Sequence, residues 1–326
     1  MRARGECLKN SEDHIIRDYQ KDDEYEITSL FRDVFGKEMT LDQWNWKYAV
    51  RGDGRIYSKV VVDISHKVVG HAGAVPLRGK FRDKSIPFFQ IVDVMVHPLA
   101  RGFLGGKNVF GKMIKMLFED LGSEFADVFC YGFPGKRPYI LGERIGVYDT
   151  IERSVDCTKS LSPFKTLSFY RLFKVRPIEW DDERLDELWR RVSPKLRLSV
   201  IRDRDYLLWR YANNPYFRYQ LLGFFYSEKL IGWAVVREDG EDVLVVDLLT
   251  EVSHCGRLLR ALERLSLSQG RKKIRLWLPD VWRKKLKGYI LTESQAVVTN
   301  MIWKLPFETA SVKRDLYYTM GDADIF

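Results

Sequence analysis

The sequence predicts a mixed α/β fold that occurs twice along the chain, and three observations support this prediction. The chain has 326 residues, and at roughly 100–200 residues per domain this length indicates two domains. Its hydrophobic fraction of 45% and aromatic fraction of 13% exclude a disordered or fibrous chain. Short segments of the first half also return in the same order in the second half, which indicates an internal repeat.

The repeat consists of four short segments, each of which has a partner of similar sequence in the second half. The pairs are Leu30–Val34 with Leu188–Val192, Trp46–Tyr48 with Trp209–Tyr211, Lys67–Gly70 with Lys229–Gly232, and Val92-Asp93 with Val246-Asp247. A single pair could arise by chance, but four pairs in order indicate two copies of one fold. The predicted domains are residues 1–157 and 178–326, joined by a surface connector over 158–177.

The elements of the first copy follow from hydrophobic spacing and from residues that begin or end helices. Apolar residues recur at helical spacing from Ile27 to Phe35, and Gly36 is placed to end that helix. Thr40-Leu41-Asp42-Gln43 has the pattern of a capping box that begins a short helix. The segments that follow are predicted as strands 57–64, 68–75 and 88–96, a helix near 107–121, a strand at 126–131 and a helix that ends near residue 146.

The second copy repeats this order, with a helix at 185–192, strand 243–249, helix 258–267 and strand 274–278. Each copy is therefore predicted as a mixed β-sheet flanked by helices. A TIM barrel and a doubly wound sheet are both excluded, because neither has three consecutive strands between helices.

Charge and cysteine content exclude several classes of protein. The 54 Lys and Arg against 45 Asp and Glu give a net charge of +9, and this excess is spread along the chain, unlike that of a dedicated nucleic-acid binder. The four cysteines lie far apart, which argues against a disulfide scaffold and a zinc ribbon. No apolar run approaches the ~18–20 residues of a membrane span, and no secretory signal follows Arg4. We therefore expect a cytoplasmic protein that has no metal site and associates with neither a membrane nor a specific nucleic acid.

A glycine-rich segment joins the third strand of the first copy to the next helix. Gly102, Gly105 and Gly106 are followed by Lys107 at the predicted start of that helix. Glycines let a backbone approach a ligand closely, and a helix N-terminus favours an anion. The spacing fits neither a Walker A loop nor a dinucleotide-binding fingerprint. A plain connecting turn is the alternative interpretation.

The run Val-His-Pro-x-x-Arg-Gly from Val96 to Gly102 resembles motif A of the GNAT N-acyltransferases, and the order of elements resembles that family too. The resemblance implies a tandem GNAT protein that binds acetyl-CoA or another acyl-CoA in its first copy. It also implies that the cofactor lies along the strand and the loop, at Val94, Met95, Val96, Arg101, Gly102, Phe103, Leu104, Gly105, Gly106 and Lys107. Leu104 departs from the family, which has glycine there, and the second copy lacks the loop altogether.

The implied reaction is attack by a neutral amine on a thioester, which needs a base for the amine and an acid for the departing thiolate. Asp93 is the proposed base, and a structural ion pair is the equally weighted alternative. The family's usual tyrosine acid falls at Gly142, so Tyr131 and Tyr139 are the candidates in its place. For both tyrosines, simple packing is the stronger alternative.

The C-terminal segment 316–326 is aromatic and apolar, unlike an ordinary frayed terminus. Some tandem GNAT aminoglycoside acetyltransferases bring their C-terminal carboxylate into the active site, and this ending is similar in kind. Asp322, Asp324 or the carboxylate of Phe326 is therefore a candidate for binding the acceptor amine in the first copy. The alternative is a strand that completes the sheet of the second copy.

The predicted function is acetyl-CoA-dependent N-acetylation of a small primary amine, for example an amino sugar or a nucleotide-linked amino sugar. The basic runs Arg271–Lys273 and Arg283–Lys285 are either solvated surface or an attraction for an anionic substrate. Two alternatives are an aminoacyl-transferring enzyme, similar to the tandem GNAT relatives that use aminoacyl-tRNA, and a non-catalytic acyl-CoA-binding module. A homodimer is compatible with all three.

Overall fold

The computed structural model describes residues 14–49, 54–101, 108–162 and 173–326. The elements of the first half are β1 (Ile15–Asp18), α1 (Asp23–Phe35), α2 (Leu41–Trp44), β2 (Tyr57–Val62), β3 (Val68–Phe81), β4 (Lys84–Val96), α3 (Val109–Glu124), β5 (Phe129–Gly132), α4 (Lys136–Arg144) and β6 (Tyr148–Ser160). A π-helix over Asn45–Ala49 directly continues α2.

The elements of the second half are β7 (Phe173–Pro177), α5 (Arg184–Val192), β8 (Leu198–Val200), α6 (Arg204–Leu207), β9 (Gln220–Tyr226), β10 (Lys229–Asp239), β11 (Asp242–Thr250), α7 (Val252–Ser268), β12 (Lys273–Leu276), α8 (Asp280–Arg283), β13 (Ile290–Met301) and α9 (Thr309–Asp315). A second π-helix, Leu208–Ala212, continues α6. Both halves thus contain a helix, a short helix that widens into a π-helix, three strands, a helix, a strand, a helix and a long strand. The predicted mixed α/β fold with two copies is confirmed.

The local sequence patterns explain how the first copy begins. Gly36 adopts a left-handed φ of 66° and its N–H caps α1, as predicted. The capping box of α2 is also present, because the N–H of Gln43 donates to Thr40 Oγ1 at 3.2 Å and the N–H of Thr40 donates to Gln43 Oε1 at 2.9 Å. This box fixes where α2 starts, and it thereby sets the position of the π-helix that follows.

The chain divides into two compact units. Unit 1 contains the described residues within 1–78, 86–151 and 298–311, and unit 2 contains those within 79–85, 152–297 and 312–326. The chain therefore passes between the units several times, whereas the sequence suggests one boundary region at 158–177. The tip of the β3–β4 hairpin belongs to unit 2, where residues 79–81 pair with β8.

In unit 1 the strands lie in the order β1–β2–β3–β4–β5, and the end of β13 lies beside β5. β4 and β5 run parallel, with Phe88 opposite Phe129 and Gln90 opposite Tyr131. The helix α3 covers this sheet with an apolar face that includes Met113, Leu117 and Phe118, all of which are buried.

In unit 2 the strands lie in the order β6–β12–β11–β10–β9–β7. β11 and β12 are parallel, and the other neighbours in this order with a defined register are antiparallel. Residues 158–160 pair with β12 and 173–177 pair with β9. Both ends of the predicted surface connector thus belong to sheet strands, and residues 163–172 lie outside the described part. No helix in the described residues has the length and apolar character of a membrane span.

Candidate active site

The backbone of strand β4 is left-handed at Asp93, and we refer to this position as the turn of β4. This residue has a φ of 48°, in the left-handed region that few residues other than glycine adopt, although aspartate tolerates it better than most. The strand segment Val94–Val96 follows the turn, and a short 3₁₀ helix, Pro98–Ala100, comes after it. The N–H of His97 still donates to the carbonyl of Val69, so the segment remains attached to β3. The left-handed residue therefore does not detach the end of β4 from the sheet.

Three side chains hold this turn from both sides. Lys47 Nζ donates to both carboxylate oxygens of Asp93, at 2.8 and 2.9 Å, and the hydroxyl of Tyr48 donates to Oδ2 at 2.6 Å. Lys47 and Tyr48 are adjacent in the π-helix, and both are buried. His71 on β3 contacts the carbonyl oxygen of Asp93 through Nδ1 at 2.9 Å. A carbonyl only accepts, so Nδ1 carries the proton.

The ion pair with Lys47 determines the charge state of the Asp93 carboxylate. Burial alone would raise the pKa of Asp93, but the charge of Lys47 and the hydrogen bonds from Lys47 and Tyr48 outweigh it and lower the pKa. Burial lowers the pKa of His71, which keeps its imidazole neutral. Nε2 of this ring is buried without a hydrogen-bond partner among the described residues. Asp93 is therefore a stable carboxylate, and such a group accepts a proton poorly.

The turn leads into the segment where the sequence predicts the acyl-CoA loop. Arg101 Nε donates to the carbonyl of Val96 at 2.9 Å, which ties the start of the loop to the end of β4. Asn108 caps α3 by accepting the N–H of Gly111 at 2.7 Å, and the other first-turn amides of a helix lie outside its hydrogen-bond ladder. Such an N-terminus suits a phosphate. The predicted loop residues themselves, Gly102, Phe103, Leu104, Gly105, Gly106 and Lys107, lie outside the described residues.

The two candidate tyrosine acids have different surroundings. Tyr131 is buried in β5, stacked on Phe129 with ring centroids 5.6 Å apart. Tyr139 is also buried, on α4, and its hydroxyl is hydrogen-bonded to Glu143 and Thr150. Burial and then the Glu143 hydrogen bond raise the pKa of Tyr139, so it remains a neutral phenol.

The structure explains why the family's usual tyrosine is missing at position 142. A Cβ atom on Gly142 would lie 2.2 Å from the ring of Tyr148, far inside van der Waals contact. Tyr148 itself is buried. The packing of this ring against the α4 backbone therefore requires glycine at that position.

The C-terminal segment is bound within unit 2. Arg202 donates to the carboxylate of Asp322, and Arg210 donates to the carbonyl oxygen of Phe326 at 3.0 Å. The ring of Phe326 packs on Trp277 at 4.9 Å between centroids. The segment contains a 3₁₀ helix at Met320–Asp322. The candidate amine-binding groups Asp322 and Phe326 thus have partners in unit 2, and the predicted sheet-completing strand is reduced to one bridge between Leu198 and Leu316.

The residues that hold the turn, Lys47, Tyr48 and His71, have no predicted role in the sequence. A signal for two of them exists, because Trp46-Lys47-Tyr48 is one of the repeated segments and returns as Trp209-Arg210-Tyr211. Among the described residues, no group of three or more His, Cys, Asp or Glu side chains is arranged to hold a metal ion.

Comparison with known proteins identifies the domain that contains this turn. Residues 15–144 match the family model of the GNAT acetyltransferase domain. This range includes β4, the loop, α3 and α4, and therefore every residue of the candidate site described in unit 1 except Tyr148 and Thr150. None of the curated proteins compared with the chain matches it significantly in sequence.

Three solved structures share the fold over most of the chain. A probable N-acyltransferase from Enterococcus faecalis V583 is 14% identical with a TM-score of 0.66, and the match covers 88% of this chain and 72% of the other. A GCN5-related N-acetyltransferase from Kribbella flavida is 16% identical with a TM-score of 0.65, over 89% and 71%. The N-myristoyltransferase of Saccharomyces cerevisiae, solved with bound myristoyl-CoA, is 10% identical with a TM-score of 0.59, over 93% and 86%.

At these identities the solved structures establish the fold alone. The match to a family model concerns residues 15–144. The fold shared with the three structures extends through both halves. Residues 15–144 therefore match a GNAT acetyltransferase domain, and they lie within a fold of two GNAT-like halves that these structures share.

Proposed function

We propose that this chain is an acyl-CoA-dependent N-acyltransferase whose unit 1 binds the acyl-CoA. The observation that supports it most is the turn of β4 at Asp93, which lies immediately before Val94–Val96 and leads to the capped N-terminus of α3. This arrangement lies within the residues that match the GNAT model. It offers backbone amides and a positive helix end where a thioester and a phosphate need them.

The residues of unit 1 suit acyl-CoA in two places. Val94–Val96 would lie beside the pantetheine arm, and Arg101 with the loop up to Lys107 and the N-terminus of α3 would hold the pyrophosphate. When bound, acyl-CoA supplies a thioester carbonyl that a neutral amine attacks. Acetyl-CoA is the acyl donor that we propose.

We assign the two proton transfers, from the amine and to the departing thiolate, to groups near the end of β4. An alkyl amine has a pKa near ~10 in water, so a base or a water chain must take its proton. The pKa of Asp93 is lowered, so we assign it the positioning of β4 in place of the base role. Tyr139 is engaged with Glu143 and Thr150, which leaves Tyr131, opposite Gln90 where the β4–β5 pairing ends, as the proposed proton donor to the thiolate.

The acceptor that we propose is a small primary amine, with amino sugars and nucleotide-linked amino sugars as the first compounds to try. The net charge of +9 supports an acceptor that also carries a negative charge. A cytoplasmic location and a homodimer remain predictions.

The test compares acetyl-CoA binding by calorimetry in two variants that add the same charge to opposite ends of α3. Gly106→Asp places a carboxylate beside the proposed pyrophosphate site and is expected to abolish binding, because like charges repel and amide access is lost. Ser123→Asp is the matched control, since Ser123 is exposed near the other end of the helix. Thiol release with a panel of amines then identifies the acceptor. Equal binding by the two variants would contradict the assignment of the site to this loop.

A further inference from the structure

A groove of about 500 Å³ lies in unit 2 between α7 and the segment that follows α8. Five cationic side chains line it, namely Arg257 and Arg260 from α7 and Lys284, Lys285 and Lys287 from that segment. All five are exposed. Positive charge therefore faces the groove from both of its walls.

The acidic group of the groove does not offset this charge. Glu263 is buried, and its carboxylate is already ion-paired with Lys159 Nζ at 2.8 Å. It also accepts a hydrogen bond from the hydroxyl of Tyr289 at 2.9 Å. An exposed acid, Asp280, lies 3.6 Å from Lys284.

We propose that this groove binds a phosphate-bearing small molecule of the nucleoside diphosphate class. Its volume lies in the range of ligand sites, about 300–1,000 Å³. Cations on both walls suit a ligand with two adjacent phosphates, and Ser253 at the start of α7 lies on the same lining. A groove of this volume suits a small ligand better than a nucleic-acid strand. The proposal goes beyond the proposed function, which places acyl-CoA in unit 1.

The test measures binding of inorganic pyrophosphate and of ADP by calorimetry, in full-length protein that carries Gly106→Asp. This background removes the anion site proposed in unit 1, so the signal comes from elsewhere. Lys285→Ala combined with Lys287→Ala is expected to weaken binding roughly tenfold or more, because two of the cations that face the phosphates are lost. Lys273→Ala combined with Lys313→Ala removes the same charge from exposed positions outside the groove. This control is expected to stay within about twofold.

Three results would overturn the proposal: no binding of either probe, an equal loss in the control pair, or much tighter binding of a single-stranded RNA oligonucleotide through the same lysines. The proposed function is tested by a separate result. If Gly106→Asp leaves acetyl-CoA binding intact, the acyl-CoA site is misplaced, while the comparison between the two lysine pairs still decides the question of the groove.

Discussion

Asp93 and Asp247 occupy matching strands of the two halves, and a tyrosine from the preceding π-helix reaches each of them. Tyr48 donates to Asp93 at 2.6 Å, and Tyr211 donates to Asp247 at 2.8 Å. The β10–β11 register also shifts beside Asp247, but the backbones differ, because Asp93 has a positive φ and Asp247 does not. The tyrosine–aspartate contact is therefore a feature of the repeated fold, and the left-handed backbone at the aspartate distinguishes unit 1.

The cations that neutralise the two carboxylates come from different places. Lys47 pairs with Asp93, but its counterpart Arg210 donates to carbonyl oxygens of the C-terminal segment. Asp247 is paired instead with Arg202 at 3.1 Å. In unit 2 the C-terminal segment comes so close that a Cβ atom on Gly321 would lie 1.9 Å from the hydroxyl oxygen of Tyr211. The C-terminal segment therefore packs against the tyrosine–aspartate contact of unit 2.

The largest expected effect follows from removing the cation of unit 2. Arg202→Met leaves Asp247 and Asp322 buried beside each other without a counter-charge. We expect a loss of about 3–5 kcal/mol in the free energy of unfolding, measured by urea denaturation. Arg204→Ala, which breaks a partly exposed pair with Asp186, is the control and is expected to cost at most about 1 kcal/mol. Equal losses would show that the buried network contributes no more than a surface pair.

The next effect is a pH dependence that should be confined to unit 2. Burial raises the pKa of Asp322 to about 6. A carboxyl group with a raised pKa in the folded state binds its proton more tightly there than in the unfolded chain. Stability from this group is therefore complete below pH ~4 and is lost as the pH rises through about 6. The shift corresponds to at most about 3 kcal/mol.

Asp322→Asn should remove that dependence, so the variant gains stability relative to the wild type between pH 4 and 7. Unfolding free energies at four pH values across this range check it. The lowered pKa of Asp93 has the opposite sign, since its contribution is present at neutral pH and is lost on acidification. A constant difference between wild type and variant would contradict the assignment to Asp322.

The smallest effect sharpens the comparison between the two tyrosines. Tyr48→Phe and Tyr211→Phe each remove one hydrogen bond to a buried carboxylate, which should cost about 1.5–3 kcal/mol in both cases. Only Tyr48→Phe should also lower acetyl-CoA turnover, because only Asp93 lies next to the proposed cofactor strand. Denaturation and thiol release measured on both variants test this pair. Equal loss of turnover would remove the functional distinction between the units.

Much of the fold is predictable from local sequence. The helix that ends at Gly36 and the capping box at Thr40 are confirmed, because their determinants lie within a few residues of each other. The hairpin of β3 and β4 extends further than predicted, to Phe81 and Lys84, since its tip pairs with the distant strand β8. Periodicity within a segment carries no information about such a partner.

The candidate site is predictable only in part, for the same reason. An ion pair was among the interpretations of Asp93, but its partner Lys47 lies 46 residues earlier in the sequence. The left-handed backbone of Asp93 is accompanied by contacts with the π-helix 45–49 and with β3. The sequence next to Asp93 does not predict these contacts. The apolar C-terminal segment is buried at Tyr317 and Tyr318 as predicted, whereas Ile325 is exposed. Composition could not indicate that Arg202 and Arg210 would bind this segment.

The two π-helices make the tyrosine–aspartate contacts sensitive to a change in chain length. A π-helical turn contains one residue more than the α-helical turn that it replaces. Deleting one residue from 45–49 would restore ordinary helical spacing and rotate the residues beyond it by about 100° around the helix axis. The hydroxyl of Tyr48 would then point away from Asp93 even though both residues remained. In a related sequence, a one-residue gap within the segment aligned with residues 45–49 therefore predicts that the hydrogen bond between this tyrosine and the strand aspartate is lost.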